Sequence, residues 1–371
     1  MKIRTITCHD VANYGASLQA LALQTFLKKS GHDAGIIDYV PEYCKSYRIW
    51  DVHPSSHLYK LSKYFFIVKL FCAIRSYLQM RPTLKRKEAF EQFKNKYLCL
   101  TDHYDSYAQL VANPPEADVY LAGSDQIWRT NLNNGKDPAF FLQFGDDKVR
   151  RVSYAASFGI PYLTDGMDRL VRLFLSTFNA ISVREKSGMA ILDGLGLKGT
   201  LVCDPVFLLT REEWISILDI KERKIKEPYV LVYDLNRGIM HDEKKSFVEQ
   251  YAKSKGLRTV AINDARKTPY VDININDGSP VDFVNLIVNA DFVVSDSFHA
   301  TAFCCIMHTP FKVFYESPQA VRIADFLSVV GLSNRMNTGS ANGDIDWDDV
   351  DRRLVSYITD SKLYLMSSLK E

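Results

Sequence analysis

The residues of this chain best suited to chemistry lie between Asn289 and Phe311, where the phrase Ser295-Asp296-Ser297-Phe298-His299 sets an imidazole three residues after a carboxylate. An imidazole exchanges protons near neutral pH, and a neighbouring carboxylate can orient or recharge it, so the pair suits general acid–base catalysis. The short apolar run Phe292 to Val294, the polar phrase after it and the helix-compatible run Ala300 to Met307, stopped before Pro310, read as strand, loop and helix. In a parallel α/β sheet such a junction receives ligands, because the helix N-terminus turns unpaired N–H groups and a partial positive charge toward an anion. A histidine at such a junction is otherwise a local hydrogen-bonding residue, so the rest of the chain has to decide between the two.

Three further stretches carry candidate groups. The loop Asn13 to Ala16 follows an apolar strand, Ile3 to Thr7, and opens a helix carrying Leu18, Leu21, Leu23 and Leu27. Gly15 there would let backbone approach a ligand closely, or would serve as a plain turn residue; the glycine spacing of a dinucleotide site is missing. Gly123-Ser124-Asp125-Gln126-Ile127-Trp128 follows the strand Asp118 to Ala122 and presents a carboxylate, an amide and an indole, which suits a polyhydroxylated ligand and equally a buried structural turn. Arg184 arrives where the strand Ala180 to Val183 should stop, placed to clamp a phosphate or carboxylate or to form a surface salt bridge.

These groups need a frame. The chain has 371 residues, too many for one ordinary core, with 47% hydrophobic and 24% charged residues and a net charge of +2. That balance gives no case for nucleic acid. Seven cysteines without a Cys-x-x-Cys pair argue against a disulfide framework and a structural zinc site, and Cys304, Cys305 and His308 read as helix packing, so no metal is expected. A reducing cytoplasm fits, since the N-terminus lacks the apolar centre of a secretory signal and no segment holds ~20 uncharged apolar residues. The strand and helix runs predict two βα-alternating halves: residues 1–205 on the acceptor side, 206–335 on the donor side, and a helical tail over 336–371. Strands at Ile36 to Tyr39, Tyr229 to Tyr233, Thr259 to Ile262 and Lys312 to Tyr315 and helices at Lys244 to Lys255 and Pro280 to Asn289 fit this scheme, with Trp214 expected to start a short helix. Lys45 to Lys96 holds twelve Lys or Arg against three Asp or Glu at helical spacing among aromatics. It reads as a helical insertion packed by its apolar stripe, or as a helix lying on an anionic membrane surface.

Two Rossmann-like halves facing across a cleft resemble the glycosyltransferase-B architecture. The phrases Asn13 to Ala20, Gly123 to Trp128, Ser182 to Glu185, Asp204-Pro205-Val206 and Ser295 to His299, in this order and spacing, resemble the polysaccharide pyruvyl transferase family over about Met1 to Arg335. The resemblance implies transfer of the carbon skeleton of phosphoenolpyruvate to a sugar, commonly as a cyclic ketal across two hydroxyls, with release of phosphate and no cofactor. It implies His299 as the acid–base residue with Asp296 beside it, and Arg184 on the donor from the facing half. The family's arginine two residues before the histidine is Ser297 here and its following glycine is Ala300, so Lys312 or Arg322 would have to supply the missing cation. Asn13, Gly15, Gln19, Asp125, Gln126 and Trp128 fall to the acceptor side, for a carrier-linked sugar with peripheral membrane contact. Two other readings stand beside this one: a nucleotide-sugar glycosyltransferase of the same fold, and a non-catalytic membrane-surface protein using Lys45 to Lys96.

Overall fold

The structure, a computed structural model, describes residues 1–44, 66–67, 70, 81–235, 240–263, 266–315, 321–337 and 344–370. Most of the basic stretch, 45–65, 68–69 and 71–80, therefore lies outside the described residues, and the expectation of a membrane-facing helix there lies outside them too. Among the described residues no helix is long and apolar enough to cross a membrane.

Short apolar runs make two parallel sheets. The first joins β1 (Lys2–Ile6), β2 (Asp33–Tyr39), β3 (Leu100–Tyr104), β4 (Val119–Ala122) and β5 (Arg150–Ser153) in the order β3-β2-β1-β4-β5. A pair of short strands, β6 (Ser182–Val183) and β7 (Thr200–Leu201), extends it through the bridges Val152 to Ala180 and Ala156 to Val183. The second sheet repeats that order with β8 (Tyr229–Tyr233), β9 (Arg258–Ile262), β10 (Ile273–Ile275), β11 (Phe292–Ser295) and β12 (Phe311–Val313), arranged β10-β9-β8-β11-β12. Both sheets reverse their strand order between the first and fourth strands, and the carboxyl ends there open a crevice in each half.

Helices α1 (Tyr14–Lys29), α2 (Arg81–Tyr97), α3 (Tyr107–Ala112), α4 (Asp168–Leu175), α5 (Lys186–Gly194) and α6 (Arg211–Ile217) accompany the first sheet and the crossing. Helices α7 (His241–Lys255), α8 (Pro280–Val288), α9 (Phe298–Met307), α10 (Val321–Val329) and α11 (Trp347–Ser368) follow. Trp214 does not start α6: Thr210 and Glu213 form a capping box that starts it at Arg211, and the buried Trp214 indole donates to the Val206 carbonyl at 3.0 Å. The edge strands β3 and β10 escape an apolar-run reading because Leu-Thr-Asp-His-Tyr and Ile-Asn-Ile are half polar, as strands with one open edge can be.

One apolar cluster runs from α1 through Val206 and Phe207 to α8 and α9, so the halves meet by packing as well as across a cleft. Tyr14 stacks on Phe283 with ring centroids 4.8 Å apart, and its hydroxyl donates to the Gly278 carbonyl at 3.0 Å. Arg86 of α2 donates to the Tyr14 hydroxyl at 2.8 Å, to the Ala12 carbonyl at 2.9 Å and to the Asn263 carbonyl, tying both halves to the loop before α1. Helix α11 returns to the first sheet: the Tyr357 hydroxyl donates to the Val202 carbonyl at 2.9 Å and Arg150 donates to the Ser368 carbonyl at 2.6 Å.

Candidate active site

The loops after β1 and β4 face those after β8 and β11 across a cavity of about 210 Å³. Asn13, Asp125, Gln126, Arg129, Gly159 and Arg184 line it from the first half, and Leu235, Asp296, Ser297, His299, Tyr315 and Arg322 from the second. The N-termini of α1 and α9 both reach it, capped by Asn13, which accepts from the Ala16 N–H at 3.1 Å, and by Ser297, which accepts from the Ala300 N–H at 3.4 Å. Capping fixes where α9 begins, and that puts His299 in its first turn at the cavity wall.

The His299 ring rests on the backbone of Gly15. A Cβ built on Gly15 would stand 2.0 Å from Nδ1 and 2.3 and 2.5 Å from Cγ and Cε1, which is the position of an atom stacked over the ring face at Nδ1. Gly15 is thus a close-approach glycine, and what approaches is the histidine of the opposite half. His299 Nε2 is buried and points to Oδ2 of Asp204 at 3.5 Å, an ion-pair distance longer than a hydrogen bond. This corrects the expectation that Asp296 orients the imidazole, because Asp296 has turned Oδ1 to the Leu235 N–H at 2.8 Å and the carboxylate set against the ring is Asp204.

Asp204 is fully enclosed. Its Oδ2 accepts from Arg184 Nη1 at 2.6 Å and from the Ser124 hydroxyl at 3.4 Å, and its Oδ1 accepts from the Val206 N–H at 3.1 Å. Burial by itself would raise its carboxyl, but His299, Arg184 and the Val206 N–H together overcome burial and hold it well below the usual carboxylate range. Arg184 also donates to Asp125 at 3.3 Å and to the Ser124 hydroxyl at 3.2 Å, and its Nε lies 3.8 Å from Glu185. Burial would lower Arg184, and the three carboxylates outweigh it and raise it. The salt bridge read as a surface alternative is therefore real but buried, and the Arg184 charge is balanced before any ligand arrives. Glu185 is itself held by the Ser157 hydroxyl and the N–H groups of Phe158 and Gly159, at 2.9, 2.9 and 3.3 Å.

Arg322 differs from Arg184. Among the described residues its guanidinium has no hydrogen-bond or ion-pair partner, although it lines the same cavity. Burial and the nearby Arg184 both lower it, with Glu185 and Asp125 partly offsetting them. On the wall from the first half, Arg129 donates to Gln126 Oε1 at 2.7 Å, which orients both side chains. Asp125 itself sits at a φ of 76°, a conformation that non-glycine residues rarely adopt and that the Arg184 contact and a Ser157 N–H bond to its carbonyl help hold.

Three expected site residues lie elsewhere. Trp128 is fully buried, its indole N–H donates to the Phe140 carbonyl at 3.0 Å and its ring stacks on Phe141, so no sugar can lie on it. Gln19 is fully buried, donating to the Thr7 hydroxyl and the Ala16 carbonyl at 2.9 Å each, which keeps it from an acceptor. Lys312 sits on the far face of the second sheet with its ammonium 4.9 and 5.2 Å from the ring centres of Phe247 and Phe314, because strand alternation sends its neighbours Phe311 and Val313 to the other face. Ser297 stands in the cavity wall as a helix cap. The sequence reading assigned no role to Asp204 or Arg129. Asp204 precedes a proline and caps the short turn Pro205–Leu208, a local signal that reads as structure. Among the described residues no group of three or more His, Cys, Asp or Glu side chains is placed to hold a metal ion.

The family model described as polysaccharide pyruvyl transferase matches residues 13–318 of the chain. No curated protein matches it. Among solved structures it is similar to the UDP-GlcNAc 2-epimerase of Methanocaldococcus jannaschii in complex with UDP-GlcNAc and UDP, at 12% identity and a TM-score of 0.50 over 96% of this chain and 93% of that one. It is also similar to an alpha-glucosyltransferase in complex with UDP and a 13-mer DNA, at 8% identity and a TM-score of 0.51 over 100% of both chains. At such identities the likeness speaks for the fold alone, two Rossmann-like domains in a glycosyltransferase-B-like arrangement.

Proposed function

The chain belongs to the polysaccharide pyruvyl transferase family, and from that premise we propose that its cavity takes phosphoenolpyruvate and closes a cyclic ketal on a glycan sugar, releasing phosphate. The single observation that carries the donor is Arg322, a cation facing the cavity with no partner among the described residues. A carboxylate and a phosphate borne by one carbon would satisfy it, aided by the N–H groups at the start of α9. The position where the family resemblance expects an arginine holds Ser297, and Arg322 brings a guanidinium to the same cavity from α10.

In this scheme a protonated His299 gives its proton to the methylene carbon of the donor, leaving an electrophilic carbon between the carboxylate and the phosphoryl oxygen. One sugar hydroxyl adds to that carbon and its proton returns to His299. A second hydroxyl displaces the phosphate, which leaves with that hydroxyl's proton, so the methylene has become a methyl and the ketal is closed. Asn13, Asp125, Gln126 and Arg129 stand on the opposite wall, where an acceptor would enter. An acceptor carried on a nucleotide or polyprenyl diphosphate in the cytoplasm, where phosphoenolpyruvate is made, completes the reading.

The experiment is phosphate release from phosphoenolpyruvate by the purified protein with a panel of carrier-linked sugars, beside His299→Ala. Release that needs an acceptor and disappears in the variant is expected. Release that persists in the variant would sink the assignment of His299, and heat protection by a uridine nucleotide sugar in place of phosphoenolpyruvate would put a glycosyltransferase first.

A further inference from the structure

The buried carboxylate of Asp204 lies against the group that the proposed chemistry asks to move protons. His299 Nε2 has no hydrogen-bond partner among the described residues, and the polar atom in front of it is Asp204 Oδ2 at 3.5 Å. A deprotonated Nε2 would aim its lone pair at a negative oxygen, whereas an Nε2–H would aim a positive hydrogen at it, so the contact selects between tautomers. Asp204 keeps its own place without the histidine, because Arg184, Ser124 and the Val206 N–H hold both of its oxygens. Gly15 lies over a face of the ring at Nδ1, not in the ring plane along that nitrogen's hydrogen-bonding direction.

We propose that Asp204 is a positioning residue that keeps a proton on Nε2 of His299 and so makes Nδ1 the atom that exchanges protons in the cavity. The chemistry assigned to Nδ1 rests on the pyruvyl-transfer reading; the tautomer does not. In the donor step the imidazolium gives up its Nδ1 proton and remains as the Nε2–H neutral ring; in the acceptor step Nδ1 recovers a proton from the hydroxyl. The bond to Nε2–H is never broken, in the way that a buried aspartate fixes the histidine of a hydrolytic triad. Asp125, Arg129, Arg184, Asp296 and Arg322 share the cavity with the ring, and among the described residues only Asp204 meets it in an ion-pair contact.

The test is nitrogen NMR of the full chain labelled at histidine, with the His299 signals assigned by their loss in His299→Gln. In wild type and in Asp204→Asn, which keeps an acceptor oxygen in place, the neutral ring is expected as Nε2–H, with the other tautomer about tenfold rarer or less. In Asp204→Ala the Nδ1–H tautomer should rise several-fold. An Nδ1–H ring in wild type, or a ratio unchanged in Asp204→Ala, overturns the proposal. Should Asp204→Ala not fold, the wild-type and Asp204→Asn spectra decide it alone. Neither spectrum involves a donor, so silence in the phosphoenolpyruvate assay would leave this result standing.

Discussion

Gly15→Ala is the substitution whose effect the geometry fixes most tightly. The added methyl would lie 2.0 Å from His299 Nδ1, where real Cβ contacts stay beyond 3.0 Å, so one partner has to yield by about 1 Å. Gly15 carries no positive φ, so alanine meets no backbone strain, and alanine in a helix is favoured over glycine by about 1 kcal/mol, less in the first turn. The softest element is the imidazole at the end of its side chain. The fold should therefore persist, with its unfolding midpoint within a few degrees of wild type, while the ring leaves the place that the proposed proton transfer requires. A misplacement of about 1 Å costs on the order of 100-fold in rate, or about 2.7 kcal/mol of transition-state stabilisation. Acceptor-dependent phosphate release gives kcat/KM, and a thermal melt gives stability. Wild-type kcat/KM in a fully folded Gly15→Ala protein would refute the argument, since it would mean that the ring position against α1 has no bearing on turnover. A collapse of stability would instead show that the interface between the halves cannot yield.

Arg322→Gln should weaken phosphoenolpyruvate binding by about 10- to 100-fold, the loss of a charge-assisted contact worth about 1.5–3 kcal/mol, and unchanged binding in calorimetry would remove Arg322 from the donor site. Trp128→Ala should cost about 3–5 kcal/mol of stability through the cavity it leaves in the core; a variant of wild-type stability with impaired acceptor KM would return the indole to the site. The stability that Asp204 lends depends on pH in a defined sense. Its carboxyl titrates lower in the folded chain than unfolded, so the contribution is present above about pH 4 and drains away as pH falls through the folded value. Urea unfolding of Asp204→Asn should then show a deficit at neutral pH that narrows in acid, and a deficit independent of pH would mean that its carboxylate charge is not what stabilises the fold.

Apolar runs bounded by polar turns made most of the central strands legible, β1, β4, β8 and β11 among them, and with them the loops at the two switch points. The edge strands β3 and β10 carry too little apolar surface to announce themselves. Within the site, the strand-loop-helix pattern located His299, while the glycine in the first turn of α1 left open both a close approach to a ligand and a plain turn. Neither could say that the two meet, because 284 positions separate Gly15 from His299 and a local pattern holds no information on what faces it. Trp128 and Gln19 were misread for a related reason: an indole after a strand packs a core as well as it stacks on a sugar, and only the Phe140 carbonyl and the Phe141 ring decide between them. Asp204 stood out only within the phrase Asp204-Pro205-Val206, and its place against the histidine stayed hidden because a local bond from the Val206 N–H gave it a sufficient reason to exist.

On the proposed pyruvyl-transfer reading, the cation that Ser297 does not supply has to come from another position of the same cavity. As the cap of α9, Ser297 holds the Ala300 N–H, a role worth about 1 kcal/mol that an arginine side chain would not fill in the same way. The helix start is then better fixed, and His299 sits two residues beyond the cap. The charge reappears on Arg322 of α10, which reaches the same cavity unneutralised by any described partner. Arg184 could not have taken over that task, since Asp204 and Asp125 already balance it. In the proposed division of labour Arg184 holds the Asp204 carboxylate set against the histidine, and Arg322 is the cation assigned to the donor.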